Sequence, residues 1–202
     1  LHDALPICIY NKVSPLLNRF GEQIVSDKFT LWQDPHDMEL LSCTAFDGEG
    51  MPTQKLTFID KGTFKAIPLD LNYAEKLGML PTGNGLRGAI EGQPSAQPIN
   101  YCIATGNKSL AEMIASIDKG LIVQSLMGGH SGNVLNGDYS VGVSTGFYIE
   151  KGRIVGRVKD CLLSGNAYES LSNIAEIENS YPNPTSSKIP SILIDGMNVA
   201  GK

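Results

Sequence analysis

The chain has 202 residues, 42% of them hydrophobic, and its 16 basic and 21 acidic side chains leave a net charge of −5. That length fits one domain, or one domain with an appendage, and supports a core without disulfide or metal staples. The acidic excess, with basic residues scattered singly, excludes a phosphate-neutralising surface and so nucleic acid as a partner; no stretch approaches the roughly 18 apolar residues of a membrane span.

The chain opens on Leu1 rather than methionine, and Leu1–Ile7 has neither the basic start nor the long apolar centre of a secretion signal. Residues 1–8 read as a foreign or disordered leader, and 9–202 as a C-terminal domain cut from a longer protein. Ser14-Pro15 suits a helix start, since proline fits the first turn, with Gly21 as its end. Leu56–Lys65 reads as strand, tight turn at Lys61-Gly62, strand, because Gly accepts the positive φ such turns require. Asp70–Leu77, closed by Gly78, reads as a helix. Pro81–Pro98 holds four glycines and three prolines and reads as a long loop, a kind that is usually functional or disordered.

Ser109-Leu110-Ala111-Glu112 is a capping box opening a helix whose apolar face is Leu110, Met113, Ile114 and Ile117. Lys119 and Gly120 are the expected basic last turn and left-handed stop. Phe147–Val155 repeats the first hairpin ninety residues later, although a two-copy match over ten residues does not establish a duplication. Asn166 caps a helix reaching Ile174. Ser180–Pro190, with three prolines and three serines, is a connector to a third hairpin, Ile192–Val199. The pattern predicts an α+β fold, mostly antiparallel β-sheet built from hairpins, with three or four short helices.

Cys8, Cys43, Cys102 and Cys161 lack the short spacing of zinc knuckles or redox pairs. They sit among apolar or small residues and are expected to be reduced, buried hydrophobes of a cytoplasmic protein. Of the histidines, His2 falls in the leader and His36 lies in Asp34-Pro35-His36-Asp37, where a solvated turn outweighs a metal site because no second His or Cys stands nearby. His130 belongs to Met127–Asn133, a run small enough to let another backbone approach closely. This makes Gly128, Gly129, His130, Ser131 and Asn133 a candidate peptide-contact loop, weighed against an ordinary connection closing at Asn136-Gly137-Asp138. HExxH and the Gly-x-Ser-x-Gly elbow are missing. Gly83–Gly88 mimics GxGxxG but follows Pro81 rather than a strand. Asp47-Gly48-Glu49-Gly50 offers two carboxylates, more in keeping with a solvated bend than an acid/base pair.

In order along the chain, Phe20-Gly21-Glu22-Gln23-Ile24, Asp34-Pro35-His36, Phe46-Asp47-Gly48-Glu49-Gly50, Ala74–Gly78 and Pro81-Thr82-Gly83-Asn84 form a recognisable set. Gly137-Asp138-Tyr139-Ser140, Gly146–Gly152, Ser164-Gly165-Asn166, Leu193–Gly196 and Val199–Lys202 continue it. From about Ile9 to Lys202 the chain resembles the C-terminal part of the PmbA/TldE branch of the TldD/PmbA metallopeptidase family. The resemblance implies a cytoplasmic peptidase system acting on small or unfolded peptides. In that system a TldD-type subunit carries zinc or a similar metal on a HExxxH helix plus a later cysteine, and TldE/PmbA-type subunits lack those ligands. Ala175–Ser191 contains no cysteine where that ligand is expected. The resemblance therefore implies no catalytic residue and no metal ligand or cofactor here, and a dimer with a TldD-type subunit or with itself. Two other readings stay open: a self-sufficient metallopeptidase with its ligands upstream, and a non-enzymatic β-rich peptide-binding module.

Overall fold

A computed structural model describes residues 6–128 and 136–201. The chain divides into two compact units, one formed by the chain up to Ala104 together with Tyr181–Ile189, the other by Thr105–Ser180 and Pro190–Lys202.

The first unit runs α1 (Pro6–Tyr10), β1 (Leu31–Gln33), β2 (Leu56–Asp60), β3 (Thr63–Phe64), α2 (Leu71–Leu77), β4 (Gly85–Leu86), β5 (Ser95–Ala96) and β6 (Cys102–Ile103). Its main sheet has the order β3-β2-β1-β6, antiparallel throughout. Phe58 and Phe64 are fully buried, with Ile67 and Leu69 beside them in the core. Each such side chain contributes about 1.5–3 kcal/mol by leaving water. The β2–β3 turn places Lys61 at φ 46° and Gly62 at φ 76°, the paired left-handed residues whose twist matches the strands. A Cβ on Gly62 would lie 2.4 Å from the Val25 carbonyl oxygen, so the position also requires the missing side chain. Helix α2 starts where Asp70 accepts from the Tyr73 amide and stops at Gly78, φ 64°.

Ser14–Gly21 is not the expected helix. Ser14 Oγ accepts from the Leu16 amide, the backbone makes i→i+3 turns, and Asn18 at φ 63° breaks the spiral. Helix α1 instead begins inside the segment read as a leader and runs past its end to Tyr10, with Pro6, Cys8 and Ile9 buried. Pro81–Pro98 is more regular than its glycines suggest: β4 and β5 pair as a two-stranded ribbon, with Gly85 opposite Ala96. Fully buried Asn84 anchors it. Cys8 and Cys102 are buried, Cys161 is partly so, and Cys43 stands exposed, contrary to the expectation for all four.

The second unit runs α3 (Leu110–Ala115), β7 (Lys119–Met127), β8 (Asp138–Glu150), β9 (Arg153–Val158), β10 (Cys161–Asn166), α4 (Ala167–Ser172), β11 (Ile174–Ile177), β12 (Ile192–Ile194) and β13 (Asn198–Ala200). The sheet order is β13-β10-β8-β7, with β9 also on β8; β11 and β12 form a separate antiparallel pair. Long strand β8 takes β10 along its first half and β9 along its second, while β7 pairs with its other edge from Gly142 to Glu150. Val141, Val143 and Leu163 make the core of this sheet.

The capping box at Ser109 forms as expected, both bonds present. The other end of α3 differs: it closes at Ser116, whose hydroxyl donates to the Met113 carbonyl at 2.7 Å. The carbonyls of Ile117 and Asp118 accept from Gly152 and Lys151, which draws them out of helical geometry, and Lys119 and Gly120 open β7 instead. Helix α4 is capped by Asn166 but ends before Asn173, since Ile174 is buried in β11. Ile192–Val199 is not a hairpin. Its halves β12 and β13 pair with β11 and β10 respectively, so Asp195-Gly196 turns a corner between sheets. The architecture is the α+β, antiparallel arrangement expected, with four short helices among the described residues.

Candidate functional site

Of the predicted contact loop, Gly128 follows β7 directly and has a φ of 78°, a value that favours glycine. Gly129, His130, Ser131 and Asn133 lie outside the described residues. What leads into the loop is well defined. Strand β7 is the end strand of its sheet: β8 occupies one side, and no described strand pairs with the other. Val123, Leu126 and Met127 are exposed along it, and register shifts on both sides of Ser125 interrupt the pleat there. An open edge of this length offers backbone N–H and C=O groups to an extended chain, with apolar side chains flanking them. Charge plays a small part, since Lys119 is its only ionisable residue.

The polar motifs of the first unit are built into the fold. Asp34 accepts from the His36 amide and pairs with Lys55 at 3.0 Å. Thr53 donates its hydroxyl proton to the Thr44 carbonyl at 2.6 Å, so His36 Nε2, 3.2 Å away, must be the donor to Thr53 Oγ1. Lys188 reaches Asp37 at 2.6 Å and Glu39 at 2.7 Å. The hydrogen bond from Lys188 holds the Asp37 carboxyl below its usual range, and the two carboxylates push the lysine above its own. Asp47 and Glu49 form neither a solvated bend nor an acid/base pair. Asp47 accepts from the amides of Glu49, Met51 and Gly85, and Glu49 from that of Leu71, opening α2.

These donors do not fit a metal. Each carboxylate near His36 is satisfied by a lysine or an amide, and the histidine's Nε2 carries a proton. Among the described residues no group of three or more His, Cys, Asp or Glu side chains is placed to hold an ion. The Lys188 clamp could not be found from sequence, because its partners lie 151 and 149 positions away. The residues of β7 include the apolar run Leu121-Ile122-Val123, but nothing in their order marks the strand as a sheet edge.

Antiparallel sheets, an edge strand unpaired among the described residues and polar clusters tied into the backbone define an α+β domain built from antiparallel sheets. Over residues 8–201 the chain matches the PmbA/TldA metallopeptidase C-terminal domain, and it belongs to that family. It is 31% identical to the metalloprotease PmbA of Escherichia coli O157:H7 over 194 residues, covering 96% of this chain and 40% of that protein. A metalloprotease TldD homolog of Buchnera aphidicola is 27% identical over 160 residues, 79% of this chain and 33% of the other. The crystal structure of TldE from Thermococcus kodakarensis superposes with a TM-score of 0.91 at 32% identity, over 100% of this chain and 46% of that one. The chain thus spans less than half the length of these relatives.

Proposed function

We propose that this chain is the C-terminal part of a metal-free TldE/PmbA-type subunit, which shapes a peptide-binding chamber and completes a dimer with a metal-bearing TldD-type subunit. The assembly would cleave small or unfolded peptides in the cytoplasm. The observation that carries this reading is the likeness to TldE together with the open edge of β7, where an unfolded peptide is gripped by backbone pairing that ignores sequence. The candidate loop beginning at Gly128 would form a rim of that site. Among the described residues no helix is long and apolar enough to cross a membrane.

The test uses the protein expressed from its complete reading frame, with and without a TldD-type subunit and with a metal-chelated control. Peptide cleavage that requires both subunits and metal is expected. Metal-dependent cleavage by this subunit alone would overturn the reading. That outcome would support the second reading, a self-sufficient metallopeptidase with its ligands upstream, which the name metalloprotease carried by the PmbA relative favours.

A further inference from the structure

Met38, Leu41 and Phe46 are 86%, 85% and 60% exposed within one nine-residue segment. One exposed apolar residue needs no explanation, but three large ones on a fixed platform do. The platform is fixed along its length. Leu40 donates to the Asp37 carbonyl, Cys43 to Leu40, Thr44 to Pro35 and Leu41 to Thr185. The Thr44 hydroxyl donates to the Phe46 carbonyl at 2.8 Å, and Phe46 bridges to Pro52. Side chains on an already ordered backbone lose less freedom on binding, which is the advantage of a preorganised contact surface. Methionine suits such surfaces because its thioether adapts to the partner's shape.

The charges around the segment decide the kind of partner. Asp34, Asp37, Glu39, Asp47 and Glu49 are set against Lys55, Lys188 and Arg87, which donates to the Gly48 carbonyl, still an excess of negative charge, and the Glu39 side chain is 77% exposed. A second copy docking by two-fold symmetry would lay this acidic rim against itself. We propose that Met38–Phe46 is the docking surface for a different protein subunit, whose matching face has an apolar centre and a rim of Lys and Arg. This inference rests on the subunit reading above.

Cys43 provides the test. Its thiol is exposed and lies 3.6 Å from Met38 Sδ, inside the surface. The protein from its complete reading frame is treated with iodoacetamide, alone and with a TldD-type subunit, and the modified cysteines are mapped by mass spectrometry. The expected result is rapid modification of Cys43 alone and at least tenfold slower modification in the complex. The double variant Met38→Ser, Leu41→Ser should keep its fold yet associate at least tenfold more weakly, and added salt should weaken wild-type association. Protection of Cys43 in the isolated subunit would overturn the proposal by assigning the surface to its own chain. Protection by an unfolded cationic peptide alone would assign it to substrate. Undiminished reactivity in a complex that does form, or wild-type association by the double variant, would overturn it while leaving the subunit reading intact. If no complex forms with the wild type, both fall.

Discussion

The side-chain amides of Gln33 and Asn84 are paired head to tail with both residues fully buried: Asn84 Nδ2 donates to Gln33 Oε1 at 2.7 Å and Gln33 Nε2 to Asn84 Oδ1 at 3.1 Å. Their remaining protons go to the carbonyls of Gln97 and Gln54. The Ile99 amide and the Thr82 hydroxyl supply further donors. Every polar atom of the pair is thereby used, and the β4–β5 ribbon is tied to β1.

Removing one member should cost more than removing both. Asn84→Ala strands the Gln33 amide and the Gln97 carbonyl in a dry interior, and a loss of about 2–4 kcal/mol is expected. The double variant Gln33→Leu, Asn84→Leu should be destabilised by less than the sum of the single changes. Urea unfolding midpoints of the three variants measure the coupling; additive losses would show that the pair is not the unit of stability.

The Lys188 clamp sets a pH window. Asp37 has a folded pKa below its unfolded value, so its contribution is present above about pH 4 and fades as pH falls through the lower, folded value. Glu178 follows the same acid-side pattern, because Ser191 donates to its buried carboxylate. Lys188 is raised instead, so its contribution is full below the ordinary lysine value and is lost only as pH rises through the higher, folded one. Lys188→Met should lower unfolding free energy by about 1–2 kcal/mol near neutral pH. The difference from wild type should shrink as pH falls below about 4 and should hold on the alkaline side, where the folded lysine stays protonated, in chemical denaturation followed from about pH 3 to about pH 10.

Lys61 and Lys151 hold φ values of 46° and 48° at the first turn positions of two hairpins. A β-carbon there costs about 1 kcal/mol, and Asn tolerates the region better than Lys. Lys61→Asn and Lys151→Asn should each stabilise the protein by a few tenths to about 1 kcal/mol. Differential scanning calorimetry would register this as a rise of a few degrees in Tm, and unchanged or lower values would count against the turn assignment.

The β7 edge makes a functional prediction. Leu126→Lys and Met127→Lys change exposed side chains and should leave unfolding unaffected. They should weaken capture of an unfolded, uncharged peptide by about tenfold, equivalent to about 1.4 kcal/mol. Fluorescence anisotropy with the assembled subunits would measure it, and equal affinity for wild type and variants would rule out this edge as the grip.

What could be read from the residues was what is decided locally. The capping box at Ser109, the Asp70–Gly78 helix and the Lys-Gly hairpins form because each holds its own partners within a few positions. The misreadings share a cause. Ile192–Val199 has a hairpin's composition, but each half finds a better partner in a distant strand. Gly120 could have stopped a helix, yet the incoming Lys151-Gly152 turn claims the carbonyls just before it. Pro81–Pro98 reads as irregular because Asn84, Gln33 and Thr82 do not advertise their pairing. The Asp37–Glu39–Lys188 cluster was invisible for the same reason, its members being held together only by the finished fold.

The segment Tyr181–Ile189 is made late but belongs to the early unit. Asp37 leaves the ribosome 151 residues before the lysine that neutralises it. At about 5–20 residues per second, that is a wait of roughly 8–30 s. During that interval the first unit lacks its closing strap, and the nascent chain carries two uncompensated carboxylates beside an open flank. The first unit would thus stay unfinished for that interval, a natural opening for a chaperone.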